Sequence, residues 1–323
     1  MTEPSADTPT ATPPPPQQQS PRPRHRLRVP LILLSLVLLM AGGFGGATWT
    51  GYRLYDEPFV RFNENRLRMA GDTLWRNPNA VAVVALGSSA LRYATLDDKA
   101  MAALPAKRGV PALHFLRIVN DTAEFTDFGP LLERIVHLKP ALLLIDFDLA
   151  FAERRQAYFY QAYLGHLAEV AESRRPYLRD QIALQYDRPC TGRTDAEQYA
   201  GELRSMLDLR ADSPAFEQVR AFVAAAQAAG IRVAFLPLPR SDALAERLYG
   251  AGNAHLPAAL QRAAELPGVP VWRYPQRLDQ GGDFCDPGHL GESGRTAYSS
   301  WLTGQIAEAL NAPPAEAVSS LPQ

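Results

Sequence analysis

Two short segments, far apart along the chain, hold the residue types that acyl-transfer chemistry requires. One is Gly87-Ser88-Ser89, at the end of an apolar run, and the other is Asp286-Pro287-Gly288-His289. A serine hydroxyl is a weak nucleophile, so it needs a base that takes its proton and a carboxylate that orients the base. Ser89 is therefore the candidate nucleophile, with His289 as the base and Asp286 as the orienting group.

The spacing of Asp286 and His289 suits these roles, because a tight turn at Pro287-Gly288 would let both side chains face the same way. Each segment alone is weak evidence, since Gly-Ser-Ser is common in loops and Asp-x-x-His is common in capped turns. Their combination is stronger, because each segment lies where an α/β fold needs it. The backbone N–H of Ser89 would then donate a hydrogen bond to the oxyanion.

Strands and helices alternate along most of the chain. Nearly continuous apolar runs are typical of parallel strands that helices cover on both faces. The sequence therefore predicts a three-layer α/β/α fold with a mainly parallel, five-stranded, flavodoxin-like sheet, and Ser89 at the carboxyl end of its first strand, where such sheets bind ligands. The predicted strands are Val81–Leu86, Ala112–Val119, Ala141–Phe147, Val233–Leu236 and Val269–Trp272, and the clearest helices are Phe128–Leu138 and Ala215–Ala229, with Gly230 closing the second.

The alternation breaks between about residues 151 and 212, which we interpret as an insertion beside the site. A helical stretch there is rich in aromatic residues. These rings could face a sugar, or they could simply pack in the core, and the sequence leaves both readings open. The aromatic residues are Tyr158, Phe159, Tyr160 and Tyr163.

The N-terminal region predicts a membrane anchor. Residues 1–28 are rich in proline and glutamine and are expected to be disordered. Residues 29–49 carry no charge and are long enough to cross the bilayer. Arginines on the N-terminal side predict a cytoplasmic N-terminus and a periplasmic C-terminal domain on a single-pass inner-membrane protein. The alternatives are a cleaved signal peptide and a buried helix of a soluble protein.

Three further segments complete the predicted organisation. Residues 50–78 would form a stalk or lead-in helix, residues 79–311 the catalytic domain, and residues 312–323 a disordered tail. The formal net charge of −1 offers no basic field, so nucleic acid is not expected as a partner. No cofactor or metal site is expected either, because the histidines and cysteines are not clustered. Cys190 and Cys285 would both be exported, where they could form a disulfide or remain two free thiols.

The serine segment and the Asp-His segment resemble the first and last blocks of the SGNH (GDSL-type) hydrolases. The resemblance rests on Gly87-Ser88-Ser89 and on Asp286-x-x-His289-Leu290 followed by Gly294. Ser88 in place of the family's Asp, Arg92 four residues later and the single anchor resemble cell-envelope members, such as those of alginate O-acetylation and teichoic-acid D-alanylation. The resemblance implies a three-layer domain whose serine carries an acyl group to or from a glycan hydroxyl.

The chain also departs from that family. The middle family blocks supply a Gly and an Asn as further oxyanion donors, but the corresponding strand end here reads Ile145-Asp146-Phe147-Asp148. An ionised carboxylate cannot donate a hydrogen bond to an oxyanion. Asn120 or Thr122, after the second strand, could replace the missing donor, and Ser88 and Arg92 are further candidates for contacts with the oxyanion or the substrate.

Two functions follow from these observations. The first is a membrane-anchored periplasmic acyltransferase or esterase that moves acyl groups, most simply acetyl, on an envelope polysaccharide through a Ser89 ester. Because acetyl-CoA is not supplied outside the membrane, a transferase would need a membrane-embedded partner that passes acyl groups across. The second is a catalytically silent glycan-binding or assembly module, which the missing Asn favours. A plain structural stalk protein is a third, weaker reading.

Overall fold

The computed structural model describes residues 28–51, 53, 56–106, 108–110, 112–158, 160–161, 190, 192, 195–249, 255–278 and 282–312. The predicted tails and most of the predicted insertion, with Phe159 and Tyr163, lie outside these residues. The chain divides into two compact units, Met1–Gly46 and Ala47–Gln323.

Helices and strands are numbered in chain order over the described residues. The strands are β1 (Val81–Gly87), β2 (Leu113–Val119), β3 (Leu142–Asp146), β4 (Ala152–Arg154), β5 (Leu207–Leu209), β6 (Arg232–Leu236), β7 (Phe284–Asp286) and β8 (His289–Leu290). The helices are α1 (Arg28–Gly51), α2 (Glu57–Arg76), α3 (Ser89–Ala94), α4 (Asp98–Ala106), α5 (Gly129–Leu138), α6 (Ala196–Met206), α7 (Ala215–Ala228), α8 (Asp242–Tyr249), α9 (His255–Ala264) and α10 (Glu292–Asn311).

Helix α1 contains the apolar N-terminal segment. Its span Val29–Gly51 has a mean hydropathy of 2.1, and among the described residues it is the one helix long and apolar enough to cross a membrane. Its large side chains, such as Leu39 and Met40, are exposed. Exposed leucines along a whole helix are costly in water, so the segment has the length and composition of a single membrane span.

The centre of the second unit is a parallel sheet with the strand order β2-β1-β3-β6. Its middle strands are apolar on both sides, and Val83, Val84 and Leu86 of β1 have no exposed surface. This is the burial that a sheet covered by two helix layers requires. The prediction of an α/β fold with a parallel sheet and one N-terminal apolar helix is confirmed.

The predicted fifth strand is reduced to one bridge at the edge of the sheet. Val271 pairs in parallel with Phe235, whose N–H donates to Pro270 O over 2.9 Å. Pro270 has no N–H of its own, so it cannot contribute a donor to a longer ladder. Among the described residues, the sheet therefore has four full strands and a single paired residue beyond them.

Two groups of helices cover the sheet. Helix α5 contacts both α2 and α7 in one group, and α10 contacts both α3 and α4 in the other. Helix α2, predicted as a lead-in helix, packs on the core through Phe59, Leu67 and Ala70, which are all buried. Helix α7 ends as predicted at Gly230, which has a φ of 81°. The N–H groups of Gly230 and Ile231 donate to the carbonyls of Gln227 and Ala226, which forms a Schellman motif.

Candidate active site

The nucleophile segment is a sharp turn between β1 and α3. Gly87 ends the strand, Ser88 caps the helix by accepting a hydrogen bond from Ala90 N over 3.3 Å, and Ser89 is the first helical residue. A Cβ on Gly87 would lie 2.5 Å from the Leu91 side chain, so only glycine lets the helix turn back this closely. The turn places the Ser89 hydroxyl at the carboxyl edge of the sheet.

The base and its carboxylate are brought together by a small hairpin. Strands β7 and β8 pair antiparallel with Asp286 opposite His289, and Pro287-Gly288 forms the turn, as the sequence predicted. Gly288 N donates to Asp286 Oδ1 over 2.9 Å, which fixes the carboxylate inside its own turn. Pro287 O accepts a hydrogen bond from Ser241 N over 3.0 Å, and this bond ties the hairpin to the loop after β6.

The three candidate residues form a continuous chain of hydrogen bonds. His289 Nε2 lies 2.9 Å from Ser89 Oγ, and His289 Nδ1 lies 2.7 Å from Asp286 Oδ2. Because Nδ1 faces a carboxylate, it carries the ring proton, which leaves Nε2 free to accept the serine proton. The side chains of His289 and Asp286 are only 14% and 11% exposed, so the pair is shielded from water. This arrangement can activate a serine hydroxyl for attack on a carbonyl.

Two tyrosines hold the ring of His289. The Tyr93 ring centroid lies 4.7 Å from that of His289, and the Tyr199 ring meets it edge to face at 5.8 Å. Sequence reasoning missed both residues. Tyr93 could have been found, because it lies one helical turn after Ser89. Tyr199 is separated from every motif of the site, and no local pattern points to it.

The two cysteines are joined by a disulfide, with their Cα atoms 6.0 Å apart. The bond lies directly beside the candidate carboxylate, since Cys190 Sγ is 3.7 Å from Asp286 Oδ2. A Cβ on Gly192 would lie 3.6 Å from the same oxygen. The disulfide therefore holds the segment of Cys190 and Gly192 against Asp286.

The other half of the site, at the end of β3, contains carboxylates. Asp146 is buried, and its Oδ2 accepts hydrogen bonds from Ser88 N over 3.1 Å and from Ser88 Oγ over 2.9 Å. Its Oδ1 accepts from Asp148 N over 3.1 Å. Burial and the nearby charge of Asp148 raise the pKa of Asp146 to about 7, against the hydrogen bonds from Ser88 and the charge of Arg240. Asp148 itself pairs with Arg240.

The remaining sequence candidates are placed differently. Ser88 lines the cavity, but its N–H and hydroxyl both donate to Asp146. The buried Arg92 also lines the cavity, pairs with Asp121 and lies over the Tyr93 ring. Asn120 is buried, and its side-chain amide lies 3.5 Å from Asp127 Oδ2. Thr122 lines the cavity with a left-handed backbone, φ 51°.

Ser89 and His289 open into a cavity of about 280 Å³. One part of its lining, contributed by β4, β5 and neighbouring residues, is apolar, and the other part is polar or aromatic. A ligand with both an apolar and a polar part could therefore occupy this cavity. The apolar lining includes Ala123, Leu149, Ala152, Met206, Leu207 and Leu209, and the polar and aromatic lining includes Tyr93, Tyr199, Glu202 and Arg240.

No protein-family model matches this chain, and no curated protein matches it in sequence. Several solved structures are similar to it. A family 3 carbohydrate esterase of Clostridium thermocellum has 10% identity and a TM-score of 0.39, over 72% of this chain and 100% of the esterase. A protein described as a putative lipolytic protein of the G-D-S-L family, from Desulfitobacterium hafniense, has 12% identity and a TM-score of 0.36, over 71% and 99%. An active-site mutant of a family two carbohydrate esterase of Clostridium thermocellum has 8% identity and a TM-score of 0.34, over 71% and 63%.

Proposed function

We propose that the protein is a serine-dependent esterase or acyltransferase that acts on O-acyl groups of a cell-envelope polysaccharide. The observation that carries this proposal is the hydrogen-bonded chain from Asp286 through His289 to Ser89, which ends at the wall of a cavity. The nucleophile and the Asp286–His289 pair come from parts of the chain that are 200 residues apart, so their convergence supports chemistry rather than local packing.

The reaction proceeds through an ester on Ser89. The serine oxygen attacks the acyl carbonyl carbon while His289 Nε2 takes the hydroxyl proton, and the carbonyl oxygen becomes an oxyanion. His289 then returns that proton to the departing sugar oxygen, the bond to the sugar breaks, and the acyl group remains on Ser89. Ser89 is the first residue of α3, so its backbone N–H has no acceptor within the helix, and we expect it to donate to the oxyanion.

The second half of the reaction decides between an esterase and a transferase. If water attacks the Ser89 ester, the acyl group is hydrolysed, and if a sugar hydroxyl attacks, it is transferred. A transferase anchored by α1 with its domain in the periplasm would receive acyl groups, most simply acetyl, from a membrane-embedded partner. The apolar part of the cavity suits the acyl group, and the polar part suits the sugar.

A specific observation favours a second function, that of a silent glycan-binding or assembly module. At the end of β3, where the resemblance would place an amide donor, Asp146 accepts hydrogen bonds from Ser88 and Asp148. Loss of one oxyanion donor typically lowers the rate by about 10²–10³-fold. A module of this kind would bind envelope glycans as tightly after His289→Ala as before.

Labelling with a serine-reactive fluorophosphonate tests the proposal on the full chain in detergent. We expect labelling of the wild type, loss of labelling in Ser89→Ala and His289→Ala, and unchanged labelling in Ser300→Ala, which removes an exposed hydroxyl on α10. Labelling that survives Ser89→Ala would overturn the proposed nucleophile. An unlabelled wild type that binds glycans in calorimetry, with or without His289, would favour the silent module.

A further inference from the structure

Tyr199 is held rigidly behind the candidate base. It lies in α6, which Asp195 caps by accepting hydrogen bonds from Glu197 N over 2.8 Å and Gln198 N over 2.9 Å. Together with Leu203, Tyr199 packs on a small apolar cluster formed by Ala200 of α6 with Leu244 and Leu248 of α8. Because helix and ring are both supported, the phenol group has a defined direction.

That direction is toward the hairpin of the base. The Tyr199 ring meets the His289 ring edge to face at an interplanar angle of 86°. Its hydroxyl lies so close to Gly288 that a Cβ at this position would collide with it. The same residue lines the cavity into which Ser89 opens. Tyr199 therefore borders the reacting groups on the side where His289 stands.

The Tyr199 hydroxyl can donate a hydrogen bond that it does not make within the described part of the protein. It has no hydrogen-bond partner among the residues that the structure describes. Burial and the nearby charge of Asp286 raise the pKa of Tyr199 well above its ordinary value, so the phenol stays protonated and can donate. The hydroxyl is not among the fully buried polar atoms and its residue lines the cavity, so an oxygen of a bound ligand can take the place of water as its acceptor.

We propose that Tyr199 determines specificity by donating a hydrogen bond to an oxygen of the sugar in the ester substrate. The inference rests on the proposed function. In the proposed reaction, His289 protonates the departing sugar oxygen, so the alcohol part of the ester lies on the His289 side of Ser89. Tyr199 is on that side, and the hydroxyl and ring oxygens of a sugar are acceptors. The leaving group of p-nitrophenyl acetate has no hydroxyl or ring oxygen, and its nitro oxygens are weak acceptors at the far end of the ring.

Tyr199→Phe tests this role, because it keeps the ring against His289 and removes only the hydroxyl. The full chain in detergent is assayed with p-nitrophenyl acetate and with a mono-O-acetylated methyl glucoside. We expect kcat/KM for the glucoside to fall about tenfold, mainly through KM, which corresponds to one neutral hydrogen bond. The value for p-nitrophenyl acetate should stay within about twofold. The control Tyr274→Phe removes a phenol hydroxyl that bonds Gln276 and should change neither.

The outcomes separate this inference from the proposed function. An unchanged ratio between the two substrates in Tyr199→Phe, or a wild type that hydrolyses the aryl ester but neither uses nor binds the glucoside, would overturn the role of Tyr199 alone. An equal loss of both activities would also contradict it, because it would mean that Tyr199 positions His289 and does not bind the sugar. If the wild type hydrolyses neither ester and the fluorophosphonate does not label Ser89, the proposed function fails. Calorimetry then tests the role of Tyr199 by binding alone. We expect the glucoside to bind Ser89→Ala/Tyr199→Phe about tenfold more weakly than Ser89→Ala.

Discussion

The two halves of the candidate site, at the His289 hairpin and at the end of β3, differ in how their polar groups are paired. On the His289 side, each polar group matches its neighbour, since a carboxylate faces a ring nitrogen and the other nitrogen faces a hydroxyl. On the side of β3, Asp146 faces inward where a donor would be expected, and its oxygens are occupied by N–H and O–H groups of Ser88 and Asp148. The first half can move a proton, whereas the second half holds the nucleophile turn in place.

This difference shows how the proposed site for acyl transfer can accommodate Asp146. Its two hydrogen bonds to Ser88 connect the end of β3 to the residue that precedes the nucleophile. The carboxyl group thus acts on the position of Ser89 rather than on the oxyanion. In the proposed mechanism, Asp146 is therefore a positioning residue, and the donors to the substrate are the Ser89 N–H and the Tyr199 hydroxyl.

The largest predicted effect tests the proton-transfer half. Asp286→Asn should lower turnover about 10⁴-fold with little change in KM, because an amide can present its NH2 group to Nδ1 and so favours the wrong tautomer of His289. Steady-state kinetics with p-nitrophenyl acetate measures this. Asp283→Asn, in the same loop, is the control and should keep most of the activity. A variant Asp286→Asn with near wild-type turnover would remove Asp286 from the proposed mechanism.

A second prediction concerns what holds that half together. The double variant Cys190→Ser/Cys285→Ser should lose about 2–4 kcal/mol of unfolding free energy, as is typical of native disulfides. Turnover should also fall, because Cys190 and Gly192 no longer stay packed against Asp286. Denaturant unfolding and kinetics, each with and without reductant, check both effects. Reductant should lower the stability and the turnover of the wild type and change neither in the double variant. The double variant is therefore the control for other effects of the reductant.

A third prediction tests the half at β3. Burial raises the pKa of Asp146 from 3.8 to about 7, so the folded protein binds this proton more tightly than the unfolded chain does. The free energy of unfolding that Asp146 contributes is therefore greatest below pH 4 and is lost as the pH rises toward 7. Relative to Asp146→Asn, the wild type should lose roughly 1 kcal/mol for each pH unit across that window.

Denaturant unfolding at several pH values measures this slope. Asp72→Asn, which removes an exposed carboxyl group on α2, is the control and should leave the slope unchanged. Asp127, whose pKa burial raises to about 6, contributes equally to wild type and variant. Equal slopes in the wild type and Asp146→Asn would mean that the carboxyl group is not desolvated, and the contrast between the two halves would disappear.

Much of the molecule could be predicted from local sequence patterns. Nearly continuous apolar runs indicate strands buried on both faces, and Gly230 indicates the end of α7, because these signals depend only on near neighbours. The uncharged segment of α1 can be recognised as a candidate membrane span from its length and composition. Ser89, Asp286 and His289 could be named as candidates because the carboxyl ends of parallel strands share one edge, so residues far apart in sequence can meet there.

The tertiary structure alone decided which side chains face one another. Tyr199 reaches His289 from α6, Cys190 bonds Cys285, and the side-chain amide of Asn120 lies near Asp127. The predicted edge strand at Val271 forms only one bridge, because Pro270 has no backbone N–H to donate to a longer ladder. Such outcomes depend on side-chain direction and on the packing of distant segments. A sequence pattern specifies which face of an element is apolar, but the contacts made across that face are set by the whole fold.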